Sequence, residues 1–312
     1  MNIILLSLLT LLGAIFATPP VLLLLGKTTK NHTFVYYARA LASFIALILC
    51  AAYGTIASLC LTIFGYGGLG QWTTGRAFKY MMYTFTGVWF EIDDPHAVLG
   101  NTRPAVFVSN HQSELDVLFC GHVFPRYTSV TAKKSLSKVP ILGQFMSLSK
   151  TVFIERSSRT QAVAAFAKAA EQMHSSGQSV YIFPEGTRSY YDHPDLLPFK
   201  KGAFHLAIQA QVPIVPCVVA NYSNILNVKK KIFRQGTISA RILEPISTKG
   251  KTKEDVDALM EETRSRMLVA LKTLTAHARE EGVALKEHES SNGTPNGTAK
   301  ATGVDMRYNA AA

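Results

Sequence analysis

The chain reads as an α/β protein, a central sheet flanked by helices, with a hydrophobic helical hairpin at its N-terminus. Three observations lead there. From about Trp89 onward, short apolar runs of strand length alternate with segments of helical period, the layer pattern of an α/β domain. Several of those runs are apolar at successive positions, as strands buried on both faces are. Ahead of them, Ile3 to Leu25 and Ala40 to Gly75 carry no charged residue.

Composition narrows the class. The 312 residues suffice for a core of their own, and 48% hydrophobic against 17% charged residues excludes a disordered binding tail. Lys and Arg outnumber Asp and Glu by 32 to 21, a net charge of +11 that points to an anionic partner. Nucleic acid, an anionic membrane surface and phosphorylated small molecules all qualify. Cys50, Cys60, Cys120 and Cys217 form no C-x-x-C pair and have no histidines at zinc-ligand spacing, so neither a zinc site nor a disulfide framework is expected.

In order along the chain, the first apolar run is interrupted by Pro19 and Pro20. A helix ending at Thr18 would reach only about 24 Å, short of a hydrocarbon core of roughly 30 Å. The second run, through Ala40 to Phe64, is long enough to span. Two full spans and a hairpin dipping into one leaflet are both open. No Lys or Arg precedes the first run and no A-x-A site follows it, so it is expected to be retained rather than cleaved. Strands are expected at Val88 to Ile92, Ala105 to Ser109, Thr151 to Ile154, Ser179 to Phe183, Ile214 to Val219 and Thr237 to Leu243. Thr160 to Ser175 is expected to be a helix with Val163, Phe166, Ala167 and Ala170 on its buried stripe, and Lys201 to Ala210 a second. Lys253 to Glu281 should form a long amphipathic helix capped by Thr252, with Val256, Leu259, Met260, Met267 and Leu271 inward. The expected division is a membrane-embedded segment 1–70, an α/β domain 71–287 and a low-complexity tail 288–312.

Four blocks could carry chemistry. Asn110-His111-Gln112-Ser113-Glu114-Leu115-Asp116 follows a strand, and a carboxylate five residues past a histidine can orient it as a general base. The other reading is a polar strand-to-helix turn capped by Asn110 or Ser113, with His111 incidental. Phe183-Pro184-Glu185-Gly186-Thr187-Arg188-Ser189 follows another buried strand. Gly186 permits close backbone approach, Thr187 and Ser189 bring hydroxyls, and Arg188 brings the planar fork that suits a phosphate or carboxylate. Phe153-Ile154-Glu155-Arg156 ends a third strand. Val212-Pro213-Ile214-Val215-Pro216 is an apolar strand bracketed by prolines, which would suit an edge. The acid and histidine cluster Asp192-His193-Pro194-Asp195 is read as a solvated loop rather than a metal site.

In this order the four blocks resemble the glycerolipid acyltransferase family. Together with Ala132-Lys133-Lys134-Ser135-Leu136, Pro140 and Gly143, they are similar to the 1-acyl-sn-glycerol-3-phosphate acyltransferases of the eukaryotic fungal type, over roughly residues 75 to 275. The resemblance implies the glycerolipid acyltransferase fold and acyl transfer from acyl-CoA to the sn-2 hydroxyl of lysophosphatidic acid, giving phosphatidic acid. His111 would be the general base and Asp116 its orienting partner. Arg156, Glu185, Gly186, Thr187 and Arg188 would bind the glycerol phosphate, with Lys133 and Lys134 adding positive potential. A thioester is already activated, so no metal and no cofactor is expected beyond acyl-CoA as substrate.

The expected partners are acyl-CoA, lysophosphatidic acid and the lipid bilayer, and no nucleic acid. The resemblance implies the endoplasmic reticulum membrane with a cytosolic site. Two other functions compete: acylation of another lysophospholipid or of glycerol 3-phosphate, and a non-catalytic membrane protein that binds lysophospholipid. A Cys120 acyl-enzyme is disfavoured because that residue falls in an apolar stretch and no G-x-S-x-G elbow is present.

Overall fold

The computed structural model describes residues 3–155 and 157–291. Helices α1 (Ile3–Thr28) and α2 (His32–Ile63) form an antiparallel apolar pair, and each is long and apolar enough to cross a membrane. Pro19 and Pro20 do not end α1, contrary to the expected break. Leaving the helix in an apolar stretch would strand more backbone groups than the two prolines do, which is why such prolines are tolerated in apolar helices. Asn31 caps α2 by accepting the Thr33 N–H. The second apolar run then divides at the glycine-rich turn 65–68, beyond which α3 (Gly70–Thr86) begins.

The strands are β1 (Val88–Asp93), β2 (Val106–Ser109), β3 (Thr128–Lys133), β4 (Val152–Ile154), β5 (Ser179–Ile182), β6 (Ile214–Val219), β7 (Leu226–Asn227), β8 (Ile232–Phe233) and β9 (Gly236–Ile242). Seven of them form one sheet in the order β1-β9-β6-β2-β5-β3-β4, while β7 and β8 make a small hairpin. The run β6-β2-β5-β3-β4 is parallel, and β9 joins it antiparallel to β6 with β1 parallel to β9. The remaining helices are α4 (Val98–Asn101), α5 (Asp116–Val123), α6 (Leu142–Leu148), α7 (Arg159–Ser176), α8 (Gly202–Gln209) and α9 (Val256–Ser291).

Period-two alternation splits the core into two layers. Ala105 and Phe107 of the β2 segment join Tyr181, Val215 and Cys217 on the face covered by α2, α3 and α5. Val106 and Val108 join Val180, Ile182 and Ile214 on the face covered by α7, α8 and α9. Both faces are covered, which explains the continuous apolar runs. β6 lies inside the sheet rather than at an edge, so Pro213 and Pro216 do not mark an edge strand. On α7 the packed stripe is Phe166, Ala169, Ala170 and Met173 at helical spacing; Val163, one turn earlier, covers no neighbour and is exposed. On α9, Val256, Leu259, Met267 and Leu271 are buried and Met260 packs beside them, with Thr252 and Asp255 forming a reciprocal cap ahead of it.

Two contacts fix the helical layer over the site. A Cβ on Gly121 of α5 would stand 2.6 Å from the Gly75 carbonyl oxygen of α3, so the helices cross where neither carries a side chain. One residue on, the Arg76 guanidinium donates to the carbonyls of Gly121, His122 and Phe124 at the end of α5, where a cation offsets the unpaired carbonyls. α2 packs along α3 and α6, so the apolar segment is also a wall of the catalytic layer.

Candidate active site

β2 and β5 are parallel neighbours, with Val108 opposite Ile182. The NHQSELD and FPEGTRS blocks therefore leave the sheet side by side at the carboxyl ends of the strands, where open α/β sheets present ligand sites. Two backbone bonds hold them together, from Ser189 N to His111 O at 2.9 Å and from Tyr190 N to Gln112 O at 3.1 Å. Asn110 exchanges two 2.9 Å bonds with the backbone of Val219 at the end of β6, so it fastens the turn to the sheet instead of capping α5.

Asp116, the first residue of α5, is fully buried. Its Oδ2 lies 2.7 Å from His111 Nδ1 and also accepts the backbone N–H groups of Gln112 at 2.6 Å and Ser113 at 3.0 Å. Its Oδ1 accepts the Tyr222 hydroxyl at 2.6 Å, and that hydroxyl sits 2.9 Å from Ser113 Oγ. A buried carboxylate is costly unless paired and hydrogen-bonded, and here four donors meet it. Burial, then the adjacent Asp116 charge, holds the Tyr222 hydroxyl well above its ordinary value, so it stays a donor. With a carboxylate on Nδ1, the proton sits on that nitrogen and Nε2 is left to act on substrate. The ring stacks on Phe183 at 4.2 Å, nearly parallel.

Glu185 stands behind this pair. Its Oε1 accepts the His111 backbone N–H at 2.7 Å and its Oε2 that of Leu197 at 3.0 Å. Burial pushes its carboxyl up to about 7, against the pull of those two N–H donors. Both oxygens are committed to the backbone, so Glu185 shapes the site from behind and does not line the cavity in front of His111.

That cavity, of about 620 Å³, runs from His111 between α2, α3, α5, α6 and β3. Its walls are mostly apolar, from Leu47 and Ala51 on α2 to Phe78, Phe124, Leu142 and Phe145, and Lys133, Gly186, Thr187 and Arg188 line it together with His111. Gly186 has φ of 70°, a backbone conformation that favours glycine, while a Cβ there would meet only the flexible end of Lys200. Arg188 Nη1 lies 3.1 Å from Glu114 Oε1 and 3.3 Å from Tyr190 Oη. Burial opposes the charge of Arg188, but Tyr190 and Glu114 hold its pKa above the ordinary value. Cys120 also lines the wall, and burial keeps its thiol well above the usual range, where it is a poor nucleophile.

Of the residues singled out in the sequence, His111, Asp116, Gly186, Thr187, Arg188 and Lys133 thus converge. Lys134 points elsewhere, with Nζ 3.4 Å from Gln161 Oε1, and does not line the cavity. Arg156 and the tail beyond Ser291 lie outside the described residues, although 288–291 continue α9. The VPIVP block sits where β6 begins, at the end of the strand away from His111, and acts as a buried neighbour of β2. Asp192 pairs with Lys230 and with the adjacent His193 at an exposed loop. Tyr222, Tyr190 and Glu114 were not picked out, although Tyr222 lies three residues past a buried strand and Tyr190 two past Arg188.

Residues 94–220 match the family model described as Acyltransferase. The chain is 46% identical over 236 residues to an uncharacterised acyltransferase of Schizosaccharomyces pombe, covering 76% of this chain and 84% of the relative. It is 42% identical over 241 residues to a 1-acyl-sn-glycerol-3-phosphate acyltransferase of Saccharomyces cerevisiae, covering 77% and 79%, and 39% identical over 268 residues to the human beta form, covering 84% and 92%. The crystal structure of the 1-acyl-sn-glycerophosphate acyltransferase from Thermotoga maritima superposes with a TM-score of 0.57 at 24% identity, over 77% of this chain and 95% of that one, a likeness of fold. With His111, Asp116 and Arg188 inside residues 94–220 and these relatives matched along most of their length, the chain belongs to the acyltransferase family that includes the yeast and human 1-acyl-sn-glycerol-3-phosphate acyltransferases.

Proposed function

We propose that this acyltransferase moves an acyl group from acyl-CoA to the sn-2 hydroxyl of 1-acyl-sn-glycerol 3-phosphate, forming phosphatidic acid. The observation that carries the reading is the His111–Asp116 pair, 2.7 Å apart, at a mostly apolar cavity that also presents Arg188. The activity for which the yeast and human relatives are named supports the acceptor.

In the proposed step, His111 Nε2 takes the proton of the acceptor hydroxyl as its oxygen attacks the thioester carbonyl carbon. Asp116 holds the resulting imidazolium in place. When the tetrahedral intermediate collapses, the carbon–sulfur bond breaks, and the proton passes from Nε2 to the departing CoA thiolate. The thioester is activated enough that no metal, cofactor or covalent enzyme intermediate is invoked. The apolar cavity takes an acyl chain, and its volume lies within the roughly 300 to 1,000 Å³ usual for ligand pockets. Arg188 and Lys133 face the phosphate groups that the basic composition anticipates. The two apolar helices suit a bilayer enzyme, and we place it in the endoplasmic reticulum membrane with its site toward cytosolic acyl-CoA.

An acceptor panel with labelled acyl-CoA and the purified full-length protein in lipid tests this. Label should move to lysophosphatidic acid in preference to lysophosphatidylcholine and glycerol 3-phosphate. Preference for either of those would replace the acceptor class, and binding without transfer to any acceptor would favour the non-catalytic reading.

A further inference from the structure

The cation proposed for the acceptor phosphate already holds an anion. Arg188 Nη1 lies 3.1 Å from Glu114 Oε1, and the Tyr190 hydroxyl donates to that same oxygen at 2.7 Å. The anion belongs to the turn that carries the proposed base, since Glu114 stands between His111 and Asp116 in the chain. The fit is incomplete. Arg188 Nε is buried and finds no hydrogen-bond partner among the described residues, so the guanidinium meets a single carboxylate oxygen where its fork can serve two oxygens at once. Glu114 is also free to leave, because its side chain is 48% exposed and can turn into water.

We infer that Glu114 is an internal competitor for the acceptor's phosphate. In the empty enzyme its carboxylate holds Arg188 and Tyr190, and an arriving phosphate monoester displaces it. The inference rests on the assignment of the phosphate to Arg188. A monoester carries roughly 1.5 to 2 negative charges near neutral pH and offers three oxygens, enough to outbid one carboxylate and to satisfy Nε as well. A phosphodiester headgroup has a single charge and gains far less by the exchange, so the same displacement cost leaves it a smaller net affinity. Glu114 then sets a threshold: displacing it costs the same whichever anion arrives, so it lowers affinity for every phosphate and leaves a weakly held diester unbound at concentrations that suffice for the monoester.

Glu114→Gln, Arg188→Ala and the double variant of the full-length protein test this, with lysophosphatidic acid and lysophosphatidylglycerol as acceptors and inorganic phosphate as competitor. Gln keeps the size of the side chain and an acceptor for Tyr190 while removing the charge. Glu114→Gln should lower KM for lysophosphatidic acid about two- to fivefold, the range a half-exposed ion pair commands, with kcat moving less than KM. The inhibition constant of inorganic phosphate should fall alongside by a similar factor, and KM for the diester should fall by no more than KM for the monoester. In the Arg188→Ala background the same substitution should leave KM unchanged. Glu114→Ala, with its thermal midpoint measured, guards against a folding artefact and should move KM in the same direction. If Arg188→Ala raises KM while Glu114→Gln raises it too or leaves it unmoved, Glu114 braces Arg188 and the inference is overturned with the phosphate assignment intact. If Arg188→Ala leaves KM unchanged, the phosphate assignment fails and the competitor with it.

Discussion

Asp116 Oδ2 receives His111 Nδ1 at 2.7 Å while two backbone N–H groups donate to the same oxygen, so the carboxylate is fixed before the imidazole meets it. A histidine held this way needs no reorganisation when it gains a proton. His111→Ala should lower kcat about 10²- to 10⁴-fold while the protein remains folded. Tyr222→Phe, which removes the hydroxyl bonded to Asp116 Oδ1, should cost on the order of tenfold in kcat with KM little changed. Wild-type turnover by folded His111→Ala protein would remove the base assignment.

Glu185 links the site to pH. Folding raises its carboxyl from the ordinary 4.5 to about 7, because burial disfavours the charged form. Its stabilising contribution is therefore fully present below about pH 4.5 and is lost as pH rises through about 7. Glu185→Gln removes this titration. The stability of wild type relative to the variant should fall between pH 4.5 and 8 by on the order of 3 kcal/mol. A difference independent of pH would mean that the His111 and Leu197 N–H donors outweigh burial.

The two apolar helices should separate under deletion. α1 packs on α2, whereas α2 contributes Leu47, Cys50 and Ala51 to the cavity. Removing residues 1–29 should leave an active enzyme that still works at a lipid interface. Removing residues 1–65 opens the cavity wall and should abolish transfer of long acyl chains. Equal activity of the two truncations in an acyl-transfer assay would show that α2 does not bound the chain site.

Filling the cavity should reset chain length. Ala51 is buried on α2 and lines the cavity, so Ala51→Phe takes up volume within it. Each methylene denied burial is worth about 0.8 kcal/mol, roughly fourfold in kcat/KM. The variant should therefore lose activity on long-chain acyl-CoA while keeping it on shorter chains. An unchanged chain-length profile would place the acyl chain elsewhere.

Much of this protein is legible residue by residue because the forces involved are local. Burial on both faces of a strand leaves an apolar run, and the β6 bounds expected from Ile214 to Val219 coincide with those observed. The H-x4-D spacing carries His111 across one strand-to-helix turn to Asp116, a distance the backbone itself spans. β3 escaped notice because its residues are mixed in polarity, being only partly buried toward its end.

Alone, the sequence determined the α/β class, the apolar pair at the N-terminus and the pairing of His111 with Asp116. Tertiary structure decided the rest, since strand order sets what meets at a sheet's end and no local pattern encodes it. Only the neighbouring of β2, β5 and β6 brings Tyr222 to Asp116 across 106 positions and commits Glu185 to the backbone of His111. Contact across the sheet, where burial makes an unpaired polar group costly, assigns each polar side chain the partner it has, and so separates Arg188 at the cavity from Glu185 behind it.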